Sequence, residues 1–82
     1  MLEVGRVVKS LKGHDAGRMY VVVRLENNFA FVCDGEYRLL ANPKKKRQSH
    51  LKDTFVKFKK DNKEDFKDFE IKTFLKGNSH KN

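Results

Sequence analysis

Hydrophobic and polar positions alternate with a period near two over much of the first fifty residues. Val7, Lys9 and Leu11 alternate with Val8 and Ser10, and Met19 to Val23 is dense in strand formers, so period and propensity both predict strands. Between them lies a loop of the form Gly13-x-x-x-Gly17-Arg18. Its glycines let the chain turn tightly and leave main-chain N–H groups approachable by an anion. Further on, Glu26-Asn27-Asn28 signals a turn between Tyr20 to Leu25 and Phe29 to Cys33, because asparagine tolerates left-handed backbone. Asp34-Gly35 is a strong hairpin signal that would join Phe29 to Cys33 with a fourth strand over Glu36 to Leu40. Pro43 lacks a backbone donor and must leave the ladder near Asn42; the chain can re-enter as a short fifth strand around Arg47 to Leu51.

Short strands with tight turns predict a mainly β fold, a small five-stranded barrel without exposed edges. The alternation places Val8, Val21, Val23, Phe29, Phe31 and Leu39 foremost in its core, with Val7, Tyr20, Val32 and Leu51 behind them. On this pattern the phenylalanines serve packing rather than base stacking; Tyr37, and less so Tyr20, stay open to a stacking role.

The pattern changes after residue 53, which divides a barrel at 1–53 from an extension at 54–82. Thr54 to Lys60 fits a linker packed partly on the barrel, or a short basic patch for RNA or a membrane surface. From Asp61, acidic residues come early and lysines late, Asp61 and Glu64 are spaced as a capping box, and Gly77 is a stop signal. A helix within Asn62 to Lys76 is predicted, with an alternative start at Asp68 that gathers Ile71, Phe74 and Leu75 on one side. Such a face would dock on the barrel or meet a partner protein. Residues 77–82 read as a frayed tail.

Length allows one domain and its extension in 82 residues. Cys33 is the only cysteine, and His14, His50 and His80 are too far apart in sequence to suggest zinc, so neither a disulfide, a metal nor a cofactor is expected. The N-terminus lacks the order of a signal peptide and no apolar stretch approaches a membrane span, so a cytoplasmic, monomeric protein without a membrane partner is expected.

Charge sharpens the picture. Residues 1–60 hold 14 Lys and Arg against 6 Asp and Glu, whereas residues 61–82 hold five of each. A basic domain with a sequence pI near 9.8 points to nucleic acid or another polyanion. Arg18 and Arg38 would each present a planar guanidinium to phosphate, while Lys44, Lys45, Lys46 and Arg47 would track the backbone as a run of charges. Lys12, His14 and Gly17 belong to the loop, His50 lies next to apolar Leu51, and Asp15 reads as a local acceptor of backbone N–H groups. No nucleophile elbow, paired carboxylates or P-loop appears, and a non-catalytic protein is expected.

The ordered set Gly5-Arg6-Val7-Val8, Ser10, Gly13, Asp15, Gly17-Arg18, Val21 to Val23, Asp34-Gly35, Arg38, Asn42-Pro43-Lys44-Lys45-Lys46-Arg47 and His50-Leu51 resembles the KOW motif. Over residues 4–51 the chain is similar to small KOW-domain RNA-binding proteins related to an archaeal and eukaryotic large-subunit ribosomal protein. The resemblance implies an SH3-like barrel that binds structured RNA, with ribosomal RNA or the ribosome as partner. The alternative is an SH3-like protein-interaction module recognising an acidic protein.

Overall fold

The computed structural model describes residues 2–58 and 66–79. Strands β1 (Arg6–Ser10), β2 (Met19–Glu26), β3 (Phe29–Cys33), β4 (Lys44–Arg47) and β5 (Leu51–Lys57) form one antiparallel sheet in the order β4-β3-β2-β1-β5, and a helix, α1 (Asp68–Ser79), follows. The expected mainly β fold with a helical extension is therefore present. No ladder between β4 and β5 closes the sheet among the described residues.

The sheet is nevertheless rolled. Lys46 on β4 places its Nζ 2.7 Å from Ser10 Oγ on β1, three strands away in the sheet order. In a flat sheet those strands would be about 14 Å apart, more than a lysine side chain spans. The concave face carries Val8, Tyr20, Val22, Ala30, Val32 and Leu51; the opposite face packs Val7, Val21 and Cys33 against Phe58, Phe66, Ile71 and Leu75. Both faces are thus covered, which is why the adjacent pairs Val7-Val8, Val21-Val22 and Val32-Cys33 are all fully buried.

This division corrects the expected core. Ala30 and Val32 point inward, and Phe29 and Phe31 lie half-buried on the other side of β3. The concave face already holds the Tyr20 ring and the Lys46 side chain, and β3 contributes only alanine and valine to it. Val23 is also only half-buried, and Leu39 is exposed in a loop.

The β2–β3 turn falls at Asn27 and Asn28, with Asn27 at φ 52°, as the asparagine pair predicted. Asp34-Gly35, by contrast, makes no hairpin, and Glu36 to Leu40 is not a strand. The Asp34 carboxylate accepts the N–H groups of Glu36, Tyr37 and Arg38 at 2.8 to 2.9 Å, so the donors a fourth strand would need are turned into the loop. β4 is instead the basic run itself, pairing Phe31 with Lys45 and Phe29 with Arg47. The expected fifth strand also moves: Gln48–His50 is a 3-10 turn, and β5 pairs with β1.

Thr54 to Lys57 therefore belongs to the sheet and is not a linker, while the rest of that segment beyond Phe58 lies outside the described residues. The segment bulges. Arg6 opposes Lys57 and Val8 opposes Asp53, leaving β5 two residues longer than its partner over this stretch. Thr54 Oγ1 donates to the Val7 carbonyl at 2.7 Å, and Phe55, at φ 63°, donates its N–H to Asp53 Oδ1. Asp53 in turn accepts from Arg6 at 2.6 Å.

α1 starts at Asp68, the alternative start, and buries Ile71 and Leu75 one turn apart. It runs through Gly77 to Ser79, so the glycine does not stop it; the Asp61 and Glu64 pair lies outside the described residues. Its N-terminus seats against the Asp34 loop. Asp68 Oδ1 accepts the Leu40 N–H at 2.8 Å, and a methyl group at Gly35 would collide with the Asp68 carbonyl. Gly35 also has φ +79°, so a side chain there is opposed by both backbone and neighbour. Gly35→Ala is expected to cost at least about 1 to 2 kcal/mol. Hydrogen exchange will show α1 amides losing protection while those of β1 and β2 retain theirs.

Candidate nucleic-acid interface

The glycine loop between β1 and β2 is closed by its own backbone. Gly17 N–H donates to the Ser10 carbonyl at 2.7 Å, Ser10 N–H to Arg18 at 2.9 Å, Ala16 N–H to Gly13 and Arg18 N–H to Asp15. Gly13 and Gly17 both sit at φ +93°, which allows this tight path. The amides of residues 16 to 18 are thereby used within the loop, and the expected anion cradle does not form from them. What the loop presents is side chains.

Beneath it lies a buried polar network. Lys46 Nζ donates to Ser10 Oγ at 2.7 Å, Asp15 Oδ1 at 2.8 Å and the Lys12 carbonyl at 2.9 Å, which uses all three ammonium donors. Asp15 also accepts from Ser10 Oγ at 2.9 Å and from Tyr20 Oη at 2.6 Å, and Lys44 Nζ lies 3.3 Å from its Oδ2. Both the Asp15 and Lys46 side chains are only 8% exposed. Burial would raise the Asp15 carboxyl, but the hydrogen bonds from Lys46, Tyr20, Ser10 and Lys44 outweigh it and hold the group well below its ordinary value of 3.8. Burial, and then the bond to Asp15, pushes the Tyr20 phenol upward. Asp15 is thus a structural acceptor, but the donors to its carboxylate are the side chains of Ser10, Tyr20, Lys44 and Lys46 rather than the expected local backbone N–H groups.

Lys46 is accordingly withdrawn from any ligand surface, which corrects its expected place in a continuous basic run. Strand alternation divides that run. Lys44 and Lys46 face the loop, while Lys45 and Arg47 project from the opposite face of β4.

On the loop side, His14, Arg18, Tyr37, Arg38 and Lys44 line a cleft of about 220 Å³ with Asp15 and Tyr20 at its base. Three separate chain segments supply them: the glycine loop, the Asp34 loop and the first residue of β4. The Arg18 guanidinium lies 4.5 Å from the centre of the exposed Tyr37 ring and 3.8 Å from Asp34 Oδ2. Arg18, Arg38 and Lys44 outnumber Asp15 and Asp34 around the cleft, with Lys46 buried beneath it, so the cleft keeps net positive charge. Its chemistry suits phosphate, with Tyr37 offering a face to a base.

Of the residues nominated from sequence, His14, Arg18, Arg38 and Lys44 converge in this cleft. Lys12 is exposed at the loop tip, and Gly17 contributes backbone shape. His50 sits half-buried in the 3-10 turn, where its carbonyl accepts the Leu11 N–H at 2.9 Å. Lys45 and Arg47 join a set that sequence reading missed: Lys45 Nζ lies 4.4 Å and Arg47 5.3 Å from the Phe29 ring centre, and Arg24 lies 3.9 Å from that of Phe31. Only the cross-strand pairing reveals this grouping.

No cluster of histidine, cysteine or acidic residues suited to a metal occurs among the described residues. Burial raises the Cys33 thiol to about 12, leaving it a packed side chain rather than a nucleophile. No described helix is long and apolar enough to cross a membrane. Comparison with protein-family models and with curated proteins finds no match to this chain.

Two outcomes follow from the Asp15 network. Lys46→Met leaves a buried carboxylate short of its main cation and is expected to cost about 3 to 5 kcal/mol in urea unfolding. Because the folded state lowers the Asp15 pKa, its contribution is complete above the ordinary value near 3.8 and is lost as pH falls below it toward the lowered value. Asp15→Asn should flatten that part of the stability profile in acid titrations followed by circular dichroism.

Proposed function

We propose that this protein is a non-catalytic binder of structured RNA, of the ribosomal class, and that its rolled sheet is an SH3-like barrel of the KOW type. The observation that carries the reading is the convergence of His14, Arg18, Arg38 and Lys44 from three chain segments into one cationic cleft beside an exposed tyrosine. The order of glycine loop, Asp-Gly and Asn-Pro basic run supports it through the resemblance to KOW domains.

A folded RNA presents phosphates and 2′-hydroxyls at fixed positions, and a rigid loop can follow that shape without reading bases. The buried Lys46 network supplies the rigidity and leaves Arg18, Arg38 and Lys44 to make the phosphate contacts. RNA from ribosomal particles is the expected partner, in the cytoplasm. An acidic protein would use the same cations but has no need of the neighbouring ring.

The double variant Arg18→Gln/Arg38→Gln should weaken binding of a labelled ribosomal RNA hairpin about a hundredfold, if each guanidinium makes one charge-assisted contact. The slope of log K against log salt should fall by about two. Fluorescence anisotropy measures both. Unchanged affinity in a folded variant would show that the cleft is not the contact surface; equal displacement by an acidic peptide would favour the protein-interaction module.

A further inference from the structure

Among the described residues, the face of the sheet opposite the cleft has one end covered by α1 and one end that α1 does not reach. α1 packs on the end that carries Val21 and Cys33, while Phe31 and Phe29, further along the same side of β3, carry cationic side chains over their rings. Pairing sets them in two rows across three strands. Arg24, Phe31 and Lys45 form one row, and Glu26, Phe29 and Arg47 the next.

The two rings stand about 7 Å apart along β3, two residues of strand. Arg24 lies over the Phe31 ring at 3.9 Å from its centre, near van der Waals contact. Arg24, Lys45 and Arg47 against Glu26 leave the patch with two net positive charges. Glu26 lies 3.7 Å from Arg24, a solvent-exposed pair that binding can open at little cost.

We infer that this face is a second RNA surface that takes unpaired nucleotides, stacking bases on the Phe29 and Phe31 rows while Lys45 and Arg47 meet the phosphates. The inference rests on the RNA-binding reading and extends it to single strands. Charge alone would suit any polyanion, but two rings held between cations suit a ligand that alternates flat apolar faces with anionic groups. A duplex hides its base faces in the stack, so the rings select single-stranded segments. A protein using this face would then bridge β4, holding folded RNA on the loop side and an adjoining unpaired stretch on the other.

The test titrates the full chain into a ten-nucleotide uridine RNA carrying 2-aminopurine at its centre, and separately into the structured hairpin. Binding of the decamer should quench the 2-aminopurine. Phe29→Leu/Phe31→Leu keeps apolar bulk at both half-buried positions and should abolish the quench and weaken decamer binding about tenfold, leaving hairpin binding within about twofold. Lys45→Gln/Arg47→Gln alters exposed positions only and should lower the decamer salt slope by about 1.4. Quench and affinity that survive in the phenylalanine variant, or a hairpin bound without any decamer binding, would overturn this inference alone. Failure of the unaltered chain to bind either RNA would overturn the proposed function with it. Competition by poly-glutamate as strong as by the decamer would show a surface that senses charge only.

Discussion

The contact between Lys46 and Asp15 organises the rest of the molecule. It joins β4 to the glycine loop across the concave face of the sheet, linking elements that are distant both in sequence and in the strand order. A buried ion pair offsets its desolvation only when its remaining donors and acceptors are met, and here Ser10, Tyr20 and the Lys12 carbonyl meet them. The roll of the sheet, the path of the loop and the placement of Lys44 at the cleft all depend on that bond. On β3, Ala30 faces Lys46 across the ladder, a small side chain beside the lysine that crosses the concave face.

The same bond changes the meaning of the basic run. Four consecutive cations on a disordered segment would form one undifferentiated charge, but a strand turns alternate residues to opposite sides. Lys46 is absorbed into the fold, Lys44 is set beside Arg18 and Arg38, and Lys45 and Arg47 are set beside phenylalanines. One short sequence thus supplies a structural cation and contributes to two surfaces of different character. The cleft combines planar cations with a tyrosine at a rigid loop, whereas the other face is broad, aromatic and built on the sheet.

Sequence made the local features legible and the distant ones opaque. The strands at Arg6–Ser10 and Met19–Glu26, the asparagine turn and the tight glycine loop depend on neighbouring residues, and each was readable from them. Asp34-Gly35 was misread because a hairpin and an aspartate-capped loop share the same two letters; what decides between them is the helix end seated against Gly35, some thirty residues on. The phase of β3 was misread because two phenylalanines outweigh one alanine on any hydrophobic scale, while the space inside a rolled sheet does not appear in composition. Thr54 to Lys57 could be placed only by its pairing with β1, nearly fifty residues earlier, and its bulge hides the alternation. The chemical types of the site were legible, since charge and ring are properties of residues; their grouping was not, because it follows from register.

The most direct test of this account is lysine reactivity footprinting by mass spectrometry on the full chain, alone and with the structured RNA. In the free protein Lys46 should stay unmodified while Lys44 and Lys45 react, because only Lys46 has all three ammonium donors engaged in a buried network. Added RNA should then protect Lys44. If Lys46 reacts as fast as Lys45 in the folded free chain, or if RNA at saturating concentration protects none of the three, the division of the basic run described here is wrong.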